Sequence, residues 1–191
     1  MRSTQARLRA AASVLTVSVL SVLGTGTAAH ATVNPHHQIH NRYAGFCLDA
    51  ANYGPQKPSN NGDKVQVWPC NSYDQQGWTY VHVAGWPDNV VTIHNDAAPG
   101  SCLDLDVSHS GPNYDFGGNN VQMWQCNGWG NQMWEVNNNG LLINLVNTNR
   151  NAPTPVLDAQ NFGGTNPGVA GDQVLAWNDW NYGGSQIWSW S

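Results

Sequence analysis

Asp49, Asp104 and Asp158 each close a short motif: Cys47-Leu48-Asp49, Cys102-Leu103-Asp104 and Val156-Leu157-Asp158. Downstream of each comes a segment ending in tryptophan: Val65-Gln66-Val67-Trp68, Val121-Gln122-Met123-Trp124 and Val174-Leu175-Ala176-Trp177. A carboxylate next to an indole has a definite chemistry. Its oxygens accept hydrogen bonds from hydroxyl groups, and the aromatic face receives the apolar C–H face of a ring. That combination suits a polyol, and a sugar above all. Gln66 and Gln122 stand two residues before their tryptophans, so on a strand they share a face with them and can donate and accept.

The same residues argue against bond cleavage. Glycoside hydrolysis generally uses two carboxylates flanking one bond, whereas these three acids occupy equivalent places. Glu135 is the only glutamate and directly follows Trp134. Among the seven histidines, His40 and His94 recur in Ile-His-Asn triplets, which suggests a role in the scaffold, while His36 and His37 are expected in an N-terminal tail. No nucleophile–base spacing, phosphate loop or short Cys-x-x-Cys metal motif occurs, so the expected catalytic residues, metals and cofactors are none.

The elements that must position these groups come from a threefold internal repeat. Each copy runs through a triplet, an Asp motif, a tryptophan segment and a Gln-x-Trp. The triplets are Ile39-His40-Asn41, Ile93-His94-Asn95 and, on this reading, Leu145-Val146-Asn147. The last landmarks are Gln76-Gly77-Trp78, Gln132-Met133-Trp134 and Gln186-Ile187-Trp188. The Asp residues are spaced by 55 and 54 positions and the Gln residues by 56 and 54. Short apolar pieces bounded by Asn61-Gly62, Gly117-Gly118 and Gly163-Gly164 read as strands and turns, with no helical periodicity. Three units of about four strands bury their edges best by closing on themselves, and a propeller needs at least about four blades. The expected fold is therefore all-β: a β-trefoil of three pseudo-symmetric four-stranded repeats. Trp78, Trp134 and Trp188 are expected to fill its interior.

Four cysteines in an exported chain favour two disulfides. Of three possible connectivities the repeat selects Cys47–Cys70 and Cys102–Cys126, each within one copy, for about 3 kcal/mol apiece. The third copy has Val156 and Asp179 at those places. Setting the bridged cysteines directly opposite each other in an antiparallel pair also sets Asp49 against Trp68 and Asp104 against Trp124, and by the repeat Asp158 against Trp177.

Residues 1–31 have the layout of a secretory signal peptide. Arg2, Arg7 and Arg9 precede an apolar run from Ala10 to Leu23, and Ala29-His30-Ala31 offers a cleavage site. The run is shorter than the ~20 residues of a membrane span. Residues 32–191 then form one domain, with repeats at about 38–90, 91–142 and 143–191. Four basic residues against twelve acids leave it a net charge of −8, without the electrostatic footprint for nucleic acid or anionic lipid. Secretion, a monomeric state and no membrane insertion are expected.

On these motifs, residues 39–191 resemble the ricin B-type lectin family, the Gln-x-Trp β-trefoil lectins and related carbohydrate-binding modules. The resemblance implies a non-catalytic lectin with up to three shallow sites for galactose-type sugars or polysaccharides such as xylan. Its site pattern is the Asp, the Gln and aromatic of the tryptophan segment, an Asn just before Gln-x-Trp, and the Gln behind the Asp. Copy two carries all of it in Asp104, Gln122, Trp124, Asn131 and Gln132. Copy one has Asp49, Gln66, Trp68 and Gln76, with Gln75 in place of Asn. Copy three keeps Asp158, Trp177 and Gln186 but has Leu175 and Ser185 where Gln and Asn are expected. The competing reading is a protein-binding trefoil such as a protease inhibitor, acting through one loop, for which Trp86 is the candidate contact.

Overall fold

A computed structural model describes residues 33–43, 45–51, 60–109, 115–147, 154–159, 169–178 and 184–191. The expected signal peptide, Asp179 and the Gly163-Gly164 turn lie outside them. Among the described residues the chain is all-β, with two disulfides, Cys47–Cys70 and Cys102–Cys126. The strands are β1 (Val33–His37), β2 (Ile39–Asn41), β3 (Cys47–Ala50), β4 (Asp63–Trp68), β5 (Trp78–His82), β6 (Val90–Asn95) and β7 (Ala98–Leu105). They continue with β8 (Asn119–Gln125), β9 (Trp134–Val136), β10 (Leu142–Asn144), β11 (Pro155–Asp158), β12 (Leu175–Asn178) and β13 (Trp188–Trp190).

One tryptophan–asparagine pairing builds the barrel three times. Trp78 pairs with Asn95, Trp134 with Asn144 and Trp188 with Asn41, so each copy is stitched to the next and the last strand, β13, returns to β2. No edge is left at that seam, which satisfies the backbone without exposing a template for further pairing. The three indoles point inward, at 0%, 0% and 2% exposure. Each donates its N–H to the carbonyl of the leucine before a site aspartate: Leu48, Leu103 and Leu157, all at 3.0 Å. A large apolar body with one polar tip is thus fully satisfied in the core.

The hairpins β3–β4, β7–β8 and β11–β12 form a second ring. A glycine in each donates its N–H to the residue before a site tryptophan in another copy: Gly62 to Met123, Gly118 to Ala176 and Gly171 to Val67. All three have positive φ, +92°, +88° and +98°, which glycine adopts without a Cβ penalty.

Three sequence expectations are corrected here. First, Asp49 stands opposite Gln66 and Asp104 opposite Gln122, while Asp158 stands opposite Leu175. The tryptophans pair with Cys47, Cys102 and Val156 instead. Each disulfide is diagonal: Cys126 donates its backbone N–H to Gly100, not to Cys102. The backbone ladder sets the register and the sulfur bridge spans it obliquely. Asp and Trp still share one face, two residues out of line.

Second, the third triplet is Leu142-Ile143-Asn144 rather than Leu145-Val146-Asn147. Asn144, buried like Asn41 and Asn95, takes the tryptophan pairing and the same hydrogen bonds. A longer connection separates it from Asp158 than separates Asn95 from Asp104, and this offset hid the match.

Third, His37 is not in a tail. β1 pairs with β5, with His37 opposite Trp78 as Val91 is opposite Trp134. The His37 ring stacks on Tyr80 at 5.4 Å.

Candidate functional site

The second copy assembles the most complete constellation. Asp104 ends up 2% exposed on β7, facing β8. Its Oδ1 accepts from Gln122 Nε2 at 3.0 Å, and its Oδ2 accepts from Asn131 Nδ2 and Gln132 Nε2, both at 2.9 Å. A carboxylate offers about four acceptor positions. Three are taken, so Oδ1 keeps one for an incoming hydroxyl. Asn131 spends its other N–H on the Leu105 carbonyl at 3.1 Å, which leaves its side-chain oxygen as an acceptor.

A 3-10 turn, Gly130–Gln132, delivers both amides. It is held from two sides. Gln132 Oε1 accepts the Asn127 N–H at 2.8 Å, and Asn144 Nδ2 donates to the Asn131 carbonyl at 2.9 Å. Burial pushes the Asp104 carboxyl above the usual aspartate range. The donors Gln122, Gln132 and Asn131 pull against that, and the charge of Asp106 adds to it. Above this group opens a cavity of about 460 Å³, whose walls include Asp104, Gln122, Trp124, Asn131 and Trp129. Trp124 is 36% exposed, so an indole face is available beside the carboxylate.

Copy one repeats the design with one donor fewer. Asp49 accepts from Gln66 Nε2 at 2.9 Å and Gln76 Nε2 at 3.0 Å, one on each oxygen. Burial again raises its pKa, with Gln66 and Gln76 opposing. Gln75, in the place of Asn131, contributes its backbone carbonyl to Asn95 Nδ2 at 2.9 Å. Trp68 is 41% exposed and rests on Gly171, where an added Cβ would lie 3.3 Å from its ring.

Copy three departs further. Gln186 Nε2 donates to Asp158 Oδ2 at 2.9 Å, but apolar Leu175 is the residue opposite. Trp177 is half-buried against Gly118, with its ring 2.8 Å from where a Cβ would sit. The backbone of Ser185 accepts from Ala159 at 3.0 Å.

Every named site residue therefore lies on the hairpin ring or on the 3-10 turn that ends at the Gln of Gln-x-Trp. The motif reading missed Trp129 and the structural role of Asn41, Asn95 and Asn144. The triplet repeat signalled Asn41 and Asn95 but pointed past Asn144 to Asn147, and no identical residue in copy one marked Trp129. His40 and His94 sit against the disulfides: His40 Nδ1 is 3.4 Å from Cys47 Sγ, and His94 Nδ1 is 3.5 Å from Cys126 Sγ. With the sulfurs bonded to each other, those clusters lack the thiolates a metal site would need.

The fold recurs among solved structures. A designed threefold-symmetric protein, ThreeFoil, superposes with a TM-score of 0.59 at 22% identity, covering 81% of this chain and 96% of that one. The earthworm R-type lectin C-half, crystallised with GalNAc, gives 0.55 at 17% identity, covering 83% and 98%. The agglutinin of Abrus precatorius gives 0.56 at 22% identity over 82% of this chain, which spans 48% of that longer one. No curated protein sequence matches the chain at a significant level. Residues 35–188 match the ricin-type β-trefoil lectin domain, and the chain belongs to that family.

Proposed function

We propose that the chain is a secreted, non-catalytic lectin whose second repeat carries the principal sugar site. The observation behind this reading is the Asp104 constellation: a carboxylate fixed by Gln122, Asn131 and Gln132, with one acceptor position open, on the wall of a cavity shared with the exposed Trp124. Hydroxyl groups satisfy the oxygens and the ring's C–H face covers the indole. The first repeat supports a weaker second site, and the third, with Leu175 and a packed Trp177, the weakest.

Binding rather than cleavage is favoured because Asp49 and Asp104 occupy equivalent places in separate repeats, not two sides of one bond. Glu135 is engaged with Asn89 at 3.3 Å. The basic, then apolar, start of the sequence supports export, and the three candidate sites are all carried by one chain, which supports a monomer. Galactose-type sugars and polysaccharides such as xylan are the proposed ligands; the GalNAc held by the earthworm relative favours the former.

One ring and a few exposed hydrogen bonds give a Kd on the order of 1 mM, about −4 kcal/mol, so retention on polymers depends on several sites acting together. A glycan array with the intact domain tests the reading. Binding that Asp104→Ala weakens, with the fold retained by circular dichroism, supports it. No response to any glycan rejects it.

A further inference from the structure

Trp129 leaves 67% of its surface in solvent, against 41% for Trp68, 39% for Trp86 and 36% for Trp124. An indole so exposed gains little from packing, although burying one ranks among the largest contributions a side chain can make. Its backbone is nevertheless fixed. The Trp129 N–H donates to Asn127 Oδ1 at 2.8 Å, and its carbonyl accepts from the Gln132 N–H at 2.9 Å. Gln132 is also the residue whose side chain supports Asp104, so its backbone and side chain together link the Trp129 main chain to the carboxylate.

Copy one repeats the arrangement with a different aromatic. Tyr73 is 66% exposed, donates its N–H to Asn71 Oδ1 at 2.9 Å, and accepts from the Gln76 N–H at 3.0 Å. Two residue types share a turn position and one property, a solvent-facing ring. In copy two Trp129 lines the cavity that holds Asp104 and Trp124. At about 460 Å³ that cavity falls within the ~300–1,000 Å³ range of small-ligand sites. One sugar stacked on Trp124 and bonded to Asp104 uses a single aromatic face, which leaves the second for the next ring of a chain.

We infer that Trp129 forms a second stacking subsite, so that the copy-two cleft takes two consecutive residues of an oligosaccharide or polysaccharide rather than a lone monosaccharide. The inference rests on the carbohydrate-binding reading and extends it to ligand length. An array carrying mono- to hexasaccharides of xylan, galactan, glucan and mannan identifies the responding series. Calorimetric titration of the intact domain then compares chain lengths for the wild type, Trp129→Ala, Trp129→Tyr and Trp124→Ala.

The disaccharide is expected to bind the wild type about three- to tenfold more tightly than the monosaccharide. Trp129→Ala removes that gain with the melting temperature unchanged, lowering monosaccharide affinity far less than Trp124→Ala does, and Trp129→Tyr restores part of it. Trp124→Ala weakens every length. In a 1H–15N spectrum, the Trp129 indole N–H shifts with disaccharide and not with monosaccharide. Equal affinity for all lengths, or a length gain that survives Trp129→Ala, overturns the subsite and leaves the lectin reading standing. Silence across the whole array overturns both.

Discussion

The side-chain amide of Asn144 donates to the backbone carbonyl of Asn131 at 2.9 Å, across the boundary between the third repeat and the second. Asn144 Oδ1 meanwhile accepts the N–H of Val146 at 3.0 Å, so one buried residue fixes its own turn and the neighbouring site. Asn95 does the same for Gln75, and Asn41 for Ser185. Each candidate site is thus positioned by the copy that follows it, with the first copy serving the third.

Asn144→Ala leaves the Asn131 carbonyl without its donor and should destabilise the domain by about 1–3 kcal/mol, read from urea unfolding. Sugar binding at the second site should weaken as well, because Asn131 then loses one of its supports. Asn41→Ala, at the equivalent place for the third repeat, should cost similar stability with little effect on second-site binding.

Burial raises the Asp104 and Asp49 pKa values above the ordinary 3.8. The sign of the stability effect follows. Between 3.8 and the raised folded value the native state holds protons that the unfolded chain has released, so unfolding free energy falls as pH rises through that window. The stabilising contribution is complete below 3.8 and lost above the folded pKa. Sugar affinity runs the other way, since the hydroxyls need the carboxylate, and it should begin to fall at a higher pH than an exposed aspartate would dictate. Titrations and denaturant melts from pH 3 to 7 should show the two slopes opposed.

Gly118 and Gly62 separate backbone strain from steric contact. Both have positive φ, but a Cβ on Gly118 would lie 2.8 Å from Trp177, whereas one on Gly62 meets only Gln122 Oε1 at 3.9 Å. Gly62→Ala should cost about 1–2 kcal/mol for the left-handed conformation alone. Gly118→Ala should cost more and move the Trp177 fluorescence. Equal losses would show that Trp177 yields freely.

Much of this was legible in the residues. The repeat carried the trefoil, the disulfide pairing and the buried Gln-x-Trp tryptophans, because all three follow from spacing and side-chain type. Register was not legible: Cys102 and Cys126 gave a plausible pairing, but a disulfide tolerates a diagonal, and the ladder through Gly100 decides. The Asn144 triplet was obscured by a change in loop length, which spacing cannot distinguish from divergence. Trp129 and Tyr73 share exposure rather than identity, and exposure belongs to the folded chain.

Copy one offers a gain-of-function test. Gln75 stands where Asn131 stands, and among the described side chains Asp49 accepts from Gln66 and Gln76 alone, whereas Asp104 also accepts from Asn131. A shorter amide on the same turn can reach the carboxylate as Asn131 does at 2.9 Å. Gln75→Asn should therefore add a third donor to Asp49, lower its pKa toward the ordinary value, and tighten first-site binding several-fold. The measurement is calorimetry in an Asp104→Ala background, where the second site is silenced. Two results are expected together: higher affinity, and a binding-versus-pH midpoint displaced to lower pH. An affinity gain without the pH displacement would mean that the asparagine acts on the sugar and not through Asp49.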